Sequence, residues 1–222
     1  PYIYTCHLHL VSTISVVETV HFLPATLPPR KDIQVRSPNM ADTMATSTLG
    51  YPRIGADREM KKSLEQYWAG IVSEAALLGV SETIEAQSVG DQAAAGIDLI
   101  GVGDHTLYDH VLDWTFRLGC VPERFAHVKA GLDTYFAMAR GVDGAPALDM
   151  SKFFGTNYHY MVPEFSDKSS PTPDFKAYLT QIRAAQNGVG PKRVAPIVLG
   201  PVTLVCIAKL TNISRQDMTA KL

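Results

Sequence analysis

At 222 residues the chain is long enough for one sizeable core, and 46% hydrophobic with 19% charged residues is the balance of an ordinary globular protein. A formal net charge of −2 supplies no general attraction for nucleic acid or an anionic membrane surface, so any anion site must be built locally. Cys6, Cys120 and Cys206 are far apart and odd in number, which argues against a disulfide framework and a CxxC-type metal site and points to reduced thiols and a cytoplasmic location.

Residues 1–39 differ in character from the remainder of the chain. An apolar run from Leu8 to Leu23 is interrupted by Glu18 and His21 and gives way to P-A-T-L-P-P-R-K. A secretory leader carries its basic residues before the apolar core, and a membrane span needs about 20 clean apolar residues. Neither pattern fits, and Glu18 with no early Arg disfavours an organelle transit segment. Residues 1–39 therefore read as an irregular extension, non-native or disordered, with Met40 or Met44 as a natural start and residues 40–222 as the folded part.

From Thr48 to Lys62 the sequence is T-L-G-Y-P-R-I-G-A-D-R-E-M-K-K. Leu49, Tyr51 and Ile54 predict a short strand broken by Gly50, Pro52 and Gly55, and Asp57 is the expected cap of a first helix. Arg58, Lys61 and Lys62 then place cations where the helix dipole is already positive. A bound carboxylate or phosphate would relieve that repulsion; the alternative is a solvated helix start partly neutralised by Glu59.

Ser73 is the expected cap of a second helix through Leu77, Val80 and Ile84 toward Ala95, closed by Gly96. Ile97 to Val102 predicts a strand buried on both faces, and Asp104 the cap of a third helix with Leu107, Val111, Trp114 or Thr115, and Leu118 facing inward, stopped at Gly119. Helical pattern recurs between Phe125 and Arg140, and Gly141 to Pro146 is a loop by composition. Asn157 to Val162 predicts a strand ended by Pro163, and Ser166 to Pro173 a polar loop. Asp174 is the expected cap of a helix closed by Gly188 and Gly190. Ile197 to Leu199 predicts a further buried strand, before a polar helix-like end.

Strands near positions 49, 97, 157 and 197 alternating with helices are the βαβ pattern of a parallel sheet. In such folds functional groups sit on the loops after the strands: Arg53 to Lys62, Gly103 to His105, Pro163 to Asp167 and Gly200 to Thr203. His105, His110 and His159 lack partners at zinc spacing and read as structural. Tyr67, Trp68 and Trp114 read as core, and Asp109 and Asp113 as surface carboxylates.

The blocks T-L-G-Y-P-R-I-G with R-E-M-K-K, Y-W-A-G at Tyr67 to Gly70, A-G-I-D-L-I at Ala95 to Ile100, L-Y-D-H-V-L-D at Leu107 to Asp113, T-N-Y-H-Y-M-V-P-E-F at Thr156 to Phe165 and L-G-P-V-T at Leu199 to Thr203 occur in one order. Together they resemble the opening of cobalamin-independent methionine synthase, the 5-methyltetrahydropteroyltriglutamate–homocysteine methyltransferase family. The resemblance implies an α/β fold that is a partial (β/α)8 TIM barrel of about the first four βα units, left with an open edge. It also implies folate polyglutamate contacts from Arg58, Glu59, Met60, Lys61 and Lys152, whose cations suit the several carboxylates of a glutamate tail. The family's catalytic zinc and homocysteine thiolate site belong to a second barrel, so the resemblance implies no metal ligand or catalytic residue in this chain and makes that barrel its main packing partner. Two other readings stay open: a non-catalytic module that binds folate or other polyanions, and an unrelated barrel enzyme such as an aldolase or decarboxylase.

Overall fold

The computed structural model describes residues 45–222, so the expected extension over residues 1–39 lies outside the described part. Its first anchored residue is Thr46, whose N–H and hydroxyl both donate to the Asp98 carboxylate at 2.8 Å. Ser47 then makes a single parallel bridge to Leu99. The strand expected through Leu49 does not extend beyond that bridge, and Leu49 is 98% exposed. Alternating side chains hold a strand only when one face has something to pack against, and among the described residues no neighbouring strand continues alongside after Ser47. Side-chain bonds tie the segment instead, from Thr48 to Gln92 at 2.6 Å and from Tyr51 to Asp91 at 2.8 Å.

Helix α1, Glu59–Trp68, buries Met60, Ser63 and Leu64 at helical spacing. Its cap is Arg58, in left-handed backbone at φ 61°, and no side chain caps it, which corrects the expectation for Asp57. The backbone does the work of the cap: Arg58 N–H donates to the Gly55 carbonyl and Met60 N–H to that of Ile54. Helix α2, Glu74–Ala94, begins as expected, with the Ser73 hydroxyl accepting from Ala76 N–H at 3.2 Å, and ends before Gly96 at φ 79°.

Strand β1, Ile100–Val102, is shorter than the expected run from Ile97 and begins where burial becomes complete, at Ile100. Helix α3, His110–Arg117, is capped by Asp109, not Asp104. A 3-10 turn at Glu123–Phe125 precedes α4, Leu132–Arg140, and Gly131 at φ 102° separates them. Three short strands follow: β2, Met150–Lys152; β3, His159–Met161; and β4, Glu164–Ser166. Then come α5, Lys176–Val189; β5, Val194–Pro196; α6, Pro201–Cys206; β6, Lys209–Thr211; and α7, Arg215–Lys221. Phe175 is the cap of α5, with Asp174 one place earlier accepting from Lys176 N–H at 2.9 Å.

Strand β1 pairs parallel with β5, β4 pairs parallel with β6, and β2 pairs antiparallel with β3. The expected strand at Ile197 to Leu199 is displaced to β5, although Ile197 N–H still donates to the Val102 carbonyl at 2.8 Å. The loop expected at Pro163 to Asp167 contains β4, and Gly200 to Thr203 opens α6. Helices carry both parallel connections, so this mixed α/β arrangement is consistent with part of a barrel.

One buried cluster joins α1, α2 and α4 through Met60, Leu77, Ile84 and Met138. A second joins β3, β4, α6 and α7 through Tyr160, Phe165, Leu204 and Met218. The third sits between β1, β5 and α5, where Trp114 packs edge-on to Tyr178 at 5.3 Å. Burial of each large side chain contributes about 2 kcal/mol, which is why short strands suffice to hold the helices in place. No described helix is long and apolar enough to cross a membrane.

Candidate functional site

The turn before α1 presents its charges unevenly. Arg58 is exposed at the helix start, and Lys61 is exposed one turn along, 3.7 Å from Glu65 in an i, i+4 pair. Such a solvated pair is worth little and leaves the ammonium available to a stronger anion. Glu59 turns back, its carboxylate accepting from Asp57 N–H at 3.0 Å. Met60 is fully buried, so its side chain anchors the turn in the core and only its backbone faces the site. Because Met60 N–H already donates to Ile54, one of the first-turn donors expected to be free is in use.

Lys152 ends β2 on an exposed hairpin, directly opposite His159. Among the described residues no hydrogen bond or ion pair joins it to the Arg58 to Lys61 turn. The hairpin is held from beneath by Asp109, which is only 2% exposed. One carboxylate oxygen accepts from Leu112 N–H at 2.8 Å and Met161 N–H at 3.1 Å, and the other from the Tyr158 hydroxyl. The surface position expected for Asp109 is thus corrected: it is the junction of α3 and β3. Asp113 is largely covered too, accepting from Tyr135 at 2.6 Å and pairing with Arg117 at 3.1 Å. Burial pushes its carboxyl up to about 6, against the opposing pull of Arg117 and Tyr135.

A cavity of about 760 Å³ opens between the Tyr51 to Glu59 segment and α2. Its wall is mainly apolar, with Val80 and Ile84 opposite Pro52, and Glu59 is the one expected site residue that lines it. Arg53 closes the other side of that segment, donating to the carbonyls of Thr106 at 3.1 Å and Tyr108 at 2.7 Å. It thereby fixes the loop after β1 against the turn before α1.

Near that loop stand polar groups that sequence reasoning missed, Glu85, Thr106 and Gln181. Glu85 of α2 is pushed up to about 7 by burial and then by Asp104, with Arg117 opposing. Its Oε1, the Thr106 hydroxyl and Gln181 Oε1 have no hydrogen-bond partner among the described residues. His105 meets the Ser81 hydroxyl at 3.0 Å, and burial drives both His105 and His110 down to about 4, aided by Arg53 and Arg117 respectively. No local signal marks Glu85, because Asp104 and Arg117 reach it from the loop after β1 and from α3. Among the described residues, no group of three or more His, Cys, Asp and Glu side chains is gathered to hold a metal ion.

Residues 45–222 match the family described as cobalamin-independent synthase, N-terminal domain. A 5-methyltetrahydropteroyltriglutamate–homocysteine methyltransferase of Synechococcus sp. is 50% identical over 176 residues, 79% of this chain and 23% of the relative. Its namesake in Thermosynechococcus vestitus is 52% identical over 174 residues, 78% of this chain and 23% of the relative. That of Bacillus cereus is 44% identical over 166 residues, 74% and 21% of the two chains. The chain thus spans less than a quarter of the length of these relatives. With four-fifths of its residues inside the matched domain, the chain belongs to the cobalamin-independent methionine synthase family and carries sequence of its N-terminal domain.

Proposed function

We propose that the chain is the opening part of a methyltransferase that moves the methyl group of 5-methyltetrahydropteroyltriglutamate to homocysteine, and that its own task is to hold the glutamate tail. The observation that carries this reading is the pairing of a family match with three exposed cations, Arg58, Lys61 and Lys152, at the positions where the resemblance implies tail contacts. Carboxylates need charge-assisted donors, and a tail of several carboxylates is served by cations on separate elements. Glu59 borders the cavity beside the turn, and Met60 supports the turn from the core. In this reading the strands belong to the first four units of a (β/α)8 barrel whose remainder, and a second barrel, complete the enzyme.

The family's zinc holds homocysteine as a thiolate. The described residues do not gather a ligand set for it.

In the intact enzyme, Lys61→Ala and Lys152→Ala should each weaken triglutamate binding by about 1 kcal/mol, more where the bond is shielded. Monoglutamate and homocysteine affinities should hold, and the salt dependence of triglutamate binding should flatten. Calorimetric titration with both folate forms decides it. Equal loss for the two forms would assign these lysines to the fold or the pterin pocket.

A further inference from the structure

A close-packed interior leaves few voids larger than a water molecule, and the opening of about 760 Å³ between the Tyr51 to Glu59 segment and α2 is far beyond that. Its charged lining groups are Glu59 and Asp91, with no Lys, Arg or His, so its chemistry does not suit a carboxylate.

On the α2 side, Gly79, Thr83, Gln87 and Asp91 stand four apart and form one ridge, with Val80 and Ile84 as the apolar furrow beside it. Gly79 is exposed in the interior of the helix, and a Cβ there would meet nothing within 4 Å among the described residues. Glycine inside a helix is destabilising relative to alanine, and nothing that α2 touches at this point requires it. A second backbone lying close along the ridge does require it. Gly55 and Ala56 give the opposite wall the same small surface.

The order of the strands identifies that backbone. Ser47 pairs in parallel with Leu99, just before β1, and β1 pairs in parallel with β5, while among the described residues nothing pairs with Ser47 on its other side. Right-handed crossovers lay the helices over a sheet in the order of its strands. One flank of α2 is accordingly packed on α5, through Val89 and Ile182, and the groove lies along the other flank, beside the free edge at Ser47. In a closed barrel the place beyond the first strand belongs to the last strand and the helix that follows it. The matched stretch is 23% of the Synechococcus relative, so a full-length member of the family has ample chain for that helix. Glu59 accepts from Asp57 N–H, and Asp91 from Tyr51 and Gln87, but neither carboxylate has an ion-pair partner among the described residues.

We propose that this groove seats the helix of the barrel's last βα unit, which turns an apolar stripe to Val80 and Ile84 and a Lys or Arg to Glu59 and Asp91. The proposal rests on the barrel part of the proposed function and is independent of the tail contacts.

The test is thiol labelling and photo-cross-linking of the intact enzyme, read on the α2 peptide by mass spectrometry. Thr83 is exposed on the ridge, and Glu82 is exposed beside it and outside the groove. Thr83→Cys should react at least about tenfold more slowly than Glu82→Cys, as a site reached only through local opening does. With p-benzoylphenylalanine in place of Gln87, illumination should join α2 to a peptide that follows residue 222 in the same chain. Leucine is the better helix former, so Gly79→Leu should raise the unfolding temperature if α2 is uncovered there and lower it if a helix is seated. Equal labelling of the two cysteines, a cross-link to residues 1–44 or to a second copy of the chain, or a raised unfolding temperature overturns the proposal. If labelling is equal while methyl transfer persists, the groove proposal falls and the methyltransferase reading stands. Protection of Thr83→Cys in an enzyme without methyl transfer would keep the groove and remove that reading.

Discussion

Glu85 brings a carboxyl into the interior with one oxygen unpartnered, and burial together with Asp104 lifts it from the ordinary 4.5 to about 7. Between those values the folded chain binds more protons at this site than the unfolded chain. Stability therefore falls as pH rises through that window and stays reduced above it. His105 and His110 act in the opposite direction, since burial lowers both from 6.5 to about 4. There the unfolded chain binds more protons, so their contribution is present above 6.5 and is lost as pH falls through 4. Glu85→Gln should remove the alkaline limb alone, stabilising the fold above pH 8 by on the order of 2 kcal/mol. Chemical denaturation across pH checks this, and an equal gain at pH 4 would show that the substitution acts through packing.

At the scale of elements, two aspartates separate a local signal from a tertiary one. Asp57 stands where a cap is expected and makes no side-chain bond to α1, whereas Asp109 caps α3 and also holds β3. Asp109→Ala should cost about 2–4 kcal/mol, as a lost cap plus a buried Met161 N–H without its partner. Asp57→Ala should cost less than about 0.5 kcal/mol, as an ordinary surface change. Urea midpoints of the two variants compare them directly, and equal losses would contradict the assignment of the caps. Ser73 is legible in the sequence because its partner, Ala76 N–H, is three residues away. Asp104 and Asp109 are each followed by histidine, and what selects Asp109 is Tyr158, 49 residues on. All the strands are three residues long; β1 and β3 lie inside longer apolar or alternating runs that mark them, whereas β2, β4 and β6 do not and escape a reading of periodicity. Arg58 and Lys61 are legible as a charge pattern at a helix start, whereas Lys152 is marked only by the resemblance. The buried set around Glu85 is not legible, because it is assembled from elements far apart in sequence.

For the whole molecule, the parallel pairs β1–β5 and β4–β6 each have two strands, while Leu49 and Ile71 are 98% and 72% exposed. Parallel strands are ordinarily covered on both faces and flanked by further strands. The isolated 222-residue chain is expected to be of low stability and to show no methyl transfer with zinc, homocysteine and methylfolate triglutamate supplied; turnover above a protein-free control would refute that. In the proposed function, this chain's cations read the length of the glutamate tail. The ratio of triglutamate to monoglutamate affinity in the intact enzyme, with Arg58, Lys61 and Lys152 all changed to alanine, tests that reading. The ratio should collapse toward one while homocysteine binding is kept; a ratio equal to that of the unaltered enzyme would show that these cations do not read the tail.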